Sequence, residues 1–496
     1  MDILKHYVDL FNENDEEVYV NTVDNAHAYE WLKNEIPLLE CPDRDIERTY
    51  YFRYWTYRKH VCSTEDGYVI TEFLPKVSWS GKHNVINAAI GHHLYEGRWL
   101  KNSQKYLLEY VRFVLNTPDR SHQYSAWLSY AVLKLLEVTG PIEGEKELLS
   151  ALCDYYEKWE NTHGLSNGMF WSVDNYDAME YSISGTTVDK KVRKGIRPTL
   201  NSYLCADAYA ISRLARMVGD EENERKYREK HEKLKQQIND LLFENGFYRA
   251  YHFDEGADVN LVMENGRGSA PREEIGYIPW MFNIPEKGRE EAFLLLADRE
   301  AFYTDYGIAT AERSHARFLY EANHECLWNG YVWPFATSQT LTALINAIDG
   351  YGCDERYQKL FFDLLRQYAV SHHRVRRDGK TVPWIDEVRH PLQNDWSSRT
   401  ILRDWGWLAR KGGYERGKDY NHSTFADLVI TGFIGVKTDG EALEVRPNIP
   451  SDWEWFKLSS LHFRGDRYTI VYDKTGEKYG LGKGLQIIQE SIKTTG

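Results

Sequence analysis

Two acidic clusters set among aromatic residues are the parts of this chain best equipped for chemistry. The first is Phe170-Trp-Ser-Val-Asp-Asn-Tyr-Asp-Ala-Met-Glu-Tyr-Ser-Ile-Ser-Gly185, which carries Asp174, Asp177 and Glu180. The second is Val382-Pro-Trp-Ile-Asp-Glu-Val-Arg-His-Pro391, with Asp386 and Glu387 beside Trp384. Aromatic neighbours strip water from a carboxyl and raise its pKa. A carboxylic acid that protonates a leaving oxygen, opposed by a carboxylate that activates water, is what cleavage of a glycosidic bond requires. Asp and Glu also serve as turn and helix caps, and spacing alone leaves that reading open. Metal chemistry has less support. His92 and His93 are adjacent, so on a helix they point about 100° apart and cannot share an ion. No HExxH-like spacing occurs, so neither metal nor cofactor is expected. The run Gly480-Leu-Gly-Lys-Gly484 is followed by no helix and reads as a β turn, not a phosphate cradle.

Composition narrows the ligand. The chain has 496 residues and a net charge of −14, which argues against nucleic acid, since binding phosphates needs a basic face. Its 16 Trp and 35 Tyr offer apolar faces with polar tips, which suit the C–H faces and hydroxyl rims of sugars; they serve equally as core and interface filling. A small carbohydrate is therefore the expected partner. No run approaches ~18 apolar residues, so no membrane partner is expected. The start Met1-Asp-Ile-Leu-Lys-His6 lacks a basic segment followed by an apolar stretch, and the six cysteines are scattered without CxxC spacing. A cytoplasmic location with free thiols is the expectation.

These residues need a frame, and between about 25 and 430 the apolar residues recur at three and four, the helical period. Leu200, Leu204, Ile211, Leu214 and Val218 make a broad apolar face. After Gly219-Asp220 comes a charged stretch with only a narrow stripe of Tyr227, Leu234, Ile238 and Leu241. The first reads as an inner helix, the second as an outer one. Trp127–Val138 with Glu145–Trp159, and Leu341–Ile348 with Tyr357–Tyr368, repeat the alternation. About twelve helices in pairs predict an α/α toroid. Aromatic-rich connections at 163–198, 246–285, 299–335 and 374–396 are too long to be plain linkers, and both acidic clusters lie in them. Beyond Gly432 the period becomes strand-like at Leu443–Arg446, Phe456–Phe463, Tyr468–Tyr472 and Leu485–Ile488. The expected organisation is an arm at 1–24, an (α/α)6 barrel at 25–431 and a small β-sandwich appendage at 432–496.

Several motifs, in order, resemble the mannosylglycerate-hydrolase-like branch of the superfamily that contains glycoside hydrolase family 63 and the trehalases. They are Val77-Ser-Trp-Ser-Gly81, Gly91-His-His-Leu-Tyr-Glu-Gly-Arg-Trp99, Tyr176-Asp-Ala-Met-Glu180 and Arg197-Pro-Thr-Leu-Asn-Ser-Tyr203. Tyr306-Gly-Ile-Ala-Thr310, Trp328-Asn-Gly-Tyr-Val-Trp-Pro334, Trp384-Ile-Asp-Glu387 and Tyr420-Asn-His-Ser-Thr-Phe-Ala-Asp427 follow. The resemblance implies an (α/α)6 barrel and an inverting hydrolase. It implies Asp177 as general acid, where Tyr176-Asp177 stands for a Trp-Asp motif, with Asp174 the fallback. It implies Glu387 as general base, with Asp386 the substitute. Glu180 is expected either to bind a sugar hydroxyl or to cap a turn. Trp79, Trp328, Trp333 and Trp384 are expected as stacking faces, with His92, Arg197 and Asn329 among the binding residues and His422 as a brace. Asn329 and Tyr331 stand where the related loop has Arg and Pro, which removes a cationic fork and favours a neutral sugar.

The expected activity is thus exo-hydrolysis of a terminal α-linked hexose, a glucoside or mannoside, from a small glycoside or oligosaccharide. An α/α-barrel epimerase or isomerase is an alternative, using His83, His92 and His93, but it leaves both acidic loops without a role. A non-catalytic glycan-binding protein would need only the aromatic cleft, and a phosphorylase would need no residue in the place of Glu387.

Overall fold

The computed structural model describes residues 2–117, 121–253, 271–320 and 323–490. Residues 254–270 of the long connection expected at 246–285, and 491–496 of the expected C-terminal region, lie outside these.

How much of each helix is apolar decides where it sits. Pro198–Val218 is buried along most of its length, whereas Glu221–Leu241 buries only Tyr227, Leu234, Ile238 and Asn239. A helix apolar all round needs neighbours all round, while a narrow stripe needs one. The first is accordingly inner and the second outer. Their junction is short because Gly219 takes the left-handed conformation at φ 75° and the Asp220 side chain caps the next helix by accepting from the Asn223 amide.

The inner ring runs through Ile90–Gly97, Leu128–Thr139, Pro198–Val218, Ile278–Met281, Pro334–Tyr351 and Ala426–Leu428 with its π-helical continuation Val429–Phe433. Each packs on the next and the last on the first. Outside them lie Arg44–His60, Ser103–Leu115, Glu145–His163, Glu221–Leu241, the 3-10 segment Glu290–Ala297 and Glu355–Ser371. The molecule is an (α/α)6 toroid with a C-terminal β region.

In that region four antiparallel strands lie in the order β1 (Leu38–Glu40), β2 (Trp455–Phe463), β3 (Asp466–Asp473) and β4 (Gly484–Glu490). Phe456, Leu458, Leu461 and Phe463 are buried, and a bulge between Leu458 and Leu461 keeps them on the core face. The edge strand β1 comes from the other end of the chain, a pairing with no local signal in the sequence. At the N-terminus, Ile3–Glu13 packs on Arg44–His60, with Tyr7 stacked on Tyr51 and Phe11 edge-on to Phe52. One continuous core joins ring and sheet. A small separate cluster of Phe73, Val77, Ile86, Ala88 and Tyr420 packs with Trp79, Tyr124 and Ala178. No described helix is long and apolar enough to cross a membrane.

Candidate active site

Segments just before the N-termini of the inner helices gather around a cavity of about 270 Å³. Phe73, Trp79, Trp328, Trp333 and Phe335 form its apolar wall; Glu72, Glu180, Glu325 and Glu387 bring carboxyls, and Lys411 and Arg416 bring cations. Trp328 and Trp333 stack on each other with centroids 4.4 Å apart and planes at 20°. Loops as long as these hold their shape only if their backbones are paired. Val332 and Arg389 exchange two backbone hydrogen bonds of 3.0 and 2.9 Å, which tie the Trp328–Pro334 loop to the one bearing Glu387. The Trp328 amide donates to the Glu180 carbonyl at 3.1 Å, which ties in the third.

Asp177 and Glu180 are three residues apart, yet their surroundings are opposite. Asp177 is buried away from the cavity, where Arg197 Nε donates to Oδ2 at 2.6 Å and the Thr199 hydroxyl at 2.8 Å. Ser125 and Ser172 donate to Oδ1 at 2.9 and 3.1 Å. Such a carboxylate has its acceptor capacity filled. Between the two acids Ala178 adopts φ 55°, a left-handed turn uncommon for a residue with a Cβ, and the chain reverses so that Glu180 reaches the cavity wall. The Glu180 carboxyl makes no hydrogen bond or ion pair to another described side chain, and desolvation pushes its pKa up to about 8. Asp174 is fully buried, accepting from the Thr186 hydroxyl at 2.5 Å. Burial raises its pKa, and it too lies off the cavity.

Glu387 faces the cavity from the other loop. Arg416 Nη2 pairs with its Oε2, and the Cys326 thiol donates to its Oε1 at 3.4 Å. Desolvation outweighs the attraction of Arg416, and the pKa of Glu387 is pushed up to about 7. Arg416 also meets Glu325 at 3.3 Å, and Lys411 meets the same carboxyl at 2.6 Å; their charges hold Glu325 below its ordinary value against the cost of burial. Asp386 sits behind the wall. It accepts from the Glu387 amide at 2.9 Å and from Trp384 Nε1 at 3.3 Å, and a Cβ on Gly417 would stand 1.8 Å from its Oδ1, so only glycine fits there.

Of the residues singled out in the sequence, the cavity thus brings together Trp79, Glu180, Trp328, Trp333, Glu387 and His422. His422 is buried with its ring 3.9 Å from that of Tyr420, and burial keeps it neutral. Asp177, His92, Arg197, Asn329 and Trp384 are not on the wall. His92 packs edge-on against Trp127 and Phe335. Arg197 spends its donors on Asp177, Ser182 and Ser184. Asn329 Nδ2 donates to the Tyr320 carbonyl at 2.5 Å. Trp384 lies beneath Arg374 and Arg399, at 3.8 and 4.6 Å from its ring.

Several wall residues escaped the sequence reading. Glu72 stands alone in Thr71-Glu-Phe73, and Arg416 sits in a charged, glycine-rich run at 409–419 that resembles any solvated loop. His324, Glu325 and Cys326 each offer a ligand atom within 4.8 Å of the others, a spacing that suits a metal ion, but Lys411 and Arg416 already supply cationic charge to Glu325 there.

The chain matches the model of the mannosylglycerate hydrolase MGH1-like glycoside hydrolase domain over residues 82–423. Residues 436–489 match the C-terminal domain of glycosyl hydrolase family 65. Among solved structures, a protein described as a sialidase is 35% identical over 98% of this chain, with a TM-score of 0.86. The chain spans only 42% of that protein's length. An uncharacterized conserved protein of Thermus thermophilus is 12% identical at a TM-score of 0.53, covering 77% of this chain and 99% of its own. A GH78 family rhamnosidase of a Bacillus species is 13% identical at 0.55, covering 88% and 40%. The last two likenesses concern the fold alone. No curated protein matches the chain.

Proposed function

Because the chain belongs to the mannosylglycerate hydrolase MGH1-like glycoside hydrolase family, we propose that it hydrolyses a glycosidic bond of a small carbohydrate, with Glu180 as general acid and Glu387 as general base. One observation carries the assignment: these two carboxyls share one cavity from separate loops, and their environments separate their tendencies to ionise. Glu180, without a cationic partner and with a pKa of about 8, keeps a proton to give at neutral pH. Glu387, at about 7 and paired with Arg416, ionises first. Asp177 is set aside as the acid because its oxygens are filled and it has no surface on the cavity.

In this reading Glu180 protonates the glycosidic oxygen as the C–O bond breaks, and a water on the opposite face attacks the anomeric carbon while its proton passes to Glu387. Solvent then returns the proton from Glu387 to Glu180. A base, and not a nucleophile, inverts the anomeric centre, which requires the carboxyls to stand ~6.5–9.5 Å apart. The cavity is of monosaccharide size, which favours exo-action on a terminal α-linked hexose. The ring carries this chemistry, with the N-terminal helix and the C-terminal sheet as its supports.

The test is a panel of aryl and natural α-glucosides, α-mannosides, α-L-rhamnosides and α-sialosides, followed by proton NMR before mutarotation. A β-sugar as first product of an α-glycoside is expected. Retention, or undiminished turnover in either Glu180→Gln or Glu387→Gln, overturns the assignment. Turnover is expected to be indifferent to EDTA; loss on chelation restored by a divalent ion would point to His324, Glu325 and Cys326 instead.

A further inference from the structure

The loop that brings Lys411 and Arg416 to the cavity has little regular structure to hold its shape. After the 3-10 turn Ala409–Lys411 it runs through irregular turns as far as Asp419, and Glu415 and Asp419 both adopt φ 55°. Its shape therefore depends on ties to other segments. Arg416 and Lys418 are two residues apart and serve different sides. Arg416 pairs with Glu387 and Glu325 on the wall, whereas Lys418 pairs with Asp15, in the stretch after the N-terminal helix Ile3–Glu13. Asp15 also meets Lys59 at 2.6 Å, and Lys59 meets Asp419 at 2.7 Å. The four side chains are at most 6% exposed, and two cations balance two carboxylates. Nearby, the Tyr19 hydroxyl donates to the Tyr414 carbonyl. The stretch is itself fixed to the end of the outer helix Arg44–His60, where Arg58 donates to the Val23 carbonyl at 2.6 Å and Asn21 to that of Lys59 at 2.7 Å.

Balanced buried charges add little net stability, yet they fix geometry, because displacing one strands another away from water. We infer that Asp15 is a positioning residue for the reaction: through Lys418 it holds the 409–419 loop so that Arg416 stays paired with Glu387. The inference rests on the reading of Glu387 as the base of a glycosidase. Burial alone would raise Asp15, but Lys59 and Lys418 hold it below its ordinary range. Burial would likewise lower Lys418, and Asp419 and Asp15 raise it instead. Both therefore stay charged while Glu387 titrates. Besides Arg416, the groups that face Glu387 are Glu325, Asp386 and the Cys326 thiol, with Glu72 and Glu180 across the cavity. None of these carboxyls pairs with Lys59 or Lys418 among the described residues, so Asp15 reaches Glu387 by way of the loop.

Asp15→Asn keeps the shape of the side chain and removes its charge. The acidic limb of its kcat/KM profile, on whichever glycoside of the panel turns over fastest, is expected to move upward by up to ~1 pH unit, since a nearby cation lowers a carboxyl by ~1–3 units. Amide hydrogen exchange across 409–419 is expected to rise with it. In an Arg416→Met background, Asp15→Asn is expected to leave the limb where Arg416→Met alone puts it, because residues that act through one another are not additive. Should the single variant fail to fold, Asp15→Asn combined with Lys418→Met removes the tie and leaves Lys59 balanced by Asp419; the same shift is expected of it. The inference falls if the limb stays in place in the folded variant, if Asp15→Asn still moves it in the Arg416→Met background, or if exchange across 409–419 is unchanged. Failure of the underlying reading is distinct: no glycoside would turn over, or Glu387→Gln would be fully active, while exchange across 409–419 still rose.

Discussion

The ring has two ends, and each holds a cavity. The larger, of about 610 Å³, lies among the C-terminal halves of the inner helices, beside the hairpin of Val436–Lys437 and Glu444–Val445. The smaller, of about 270 Å³, lies at the N-terminal end. Both are rich in charge, but the charges are matched differently. In the larger, Arg98 pairs with Asp427, Lys134 with Glu137, Lys437 with Asp349 and Arg446 with Glu444, and the other charged groups on its wall, Lys235, Lys287 and Asp439, are half-buried or exposed to water. In the smaller, Arg416 reaches Glu325 and Glu387, while Glu72 and Glu180 have no cation among the described residues. A matched charge is spent on the fold. A buried carboxyl without a cation holds its proton and can exchange it with a ligand. How far the polar groups are satisfied therefore separates the two cavities in a way their size does not, and it supports placing the proposed chemistry in the smaller.

The largest expected effect breaks the comparison at its centre. Glu180→Gln and Glu387→Gln are each expected to lower kcat by about 10²–10⁴-fold, the usual contribution of a general acid or base, with circular dichroism unchanged. Near-normal turnover in either would return the role to another carboxyl.

Asp177 is the internal control, since it lies in the same loop as Glu180 but is fully matched. Asp177→Ala leaves the buried Arg197 without its partner, a loss of about 3–5 kcal/mol read from the denaturation midpoint. A fall in kcat at unchanged stability would instead make Asp177 the acid.

The pH profile sharpens the contrast. The proposed mechanism needs Glu387 ionised and Glu180 protonated, so kcat/KM is expected to fall below about pH 7 as Glu387 takes a proton and above about pH 8 as Glu180 loses one. Arg416→Met removes the cation that favours ionised Glu387, and the acidic limb is expected to move upward. A profile flat between pH 5 and 9 would contradict both assignments.

Stability carries a smaller signature of the same mismatch. Glu72 and Glu180 titrate near 8 in the folded chain and near the ordinary 4.5 when unfolded. Between those values the folded state binds protons that the unfolded state does not, so stability falls as pH rises from 4.5 to 8. Urea midpoints of Glu72→Gln are expected to depend less on pH than those of wild type. The smallest effect belongs to the opposite end, where Lys437→Met is expected to cost under about 1 kcal/mol and to leave kcat/KM unchanged.

The sequence by itself determined the ring. Apolar density separates Pro198–Val218 from Glu221–Leu241 as inner and outer, and a period of two marks the three strands after Trp455, because burial of repeated faces is a local property of each segment. It also singled out the two loops that bear Glu180 and Glu387. Which carboxyl in a loop meets the cavity was decided only by the tertiary structure. Asp177 and Glu180 have the same aromatic company along the chain, but Arg197, 20 residues on, claims the first, and the left-handed turn at Ala178 sends the second to the wall. Glu72 owes its place to Tyr420, 348 residues away, and Arg416 lowers the proton affinity of Glu387 against the effect of burial. The proton affinity of a buried acid depends on the partners that folding brings to it, and in this site those partners come from distant segments.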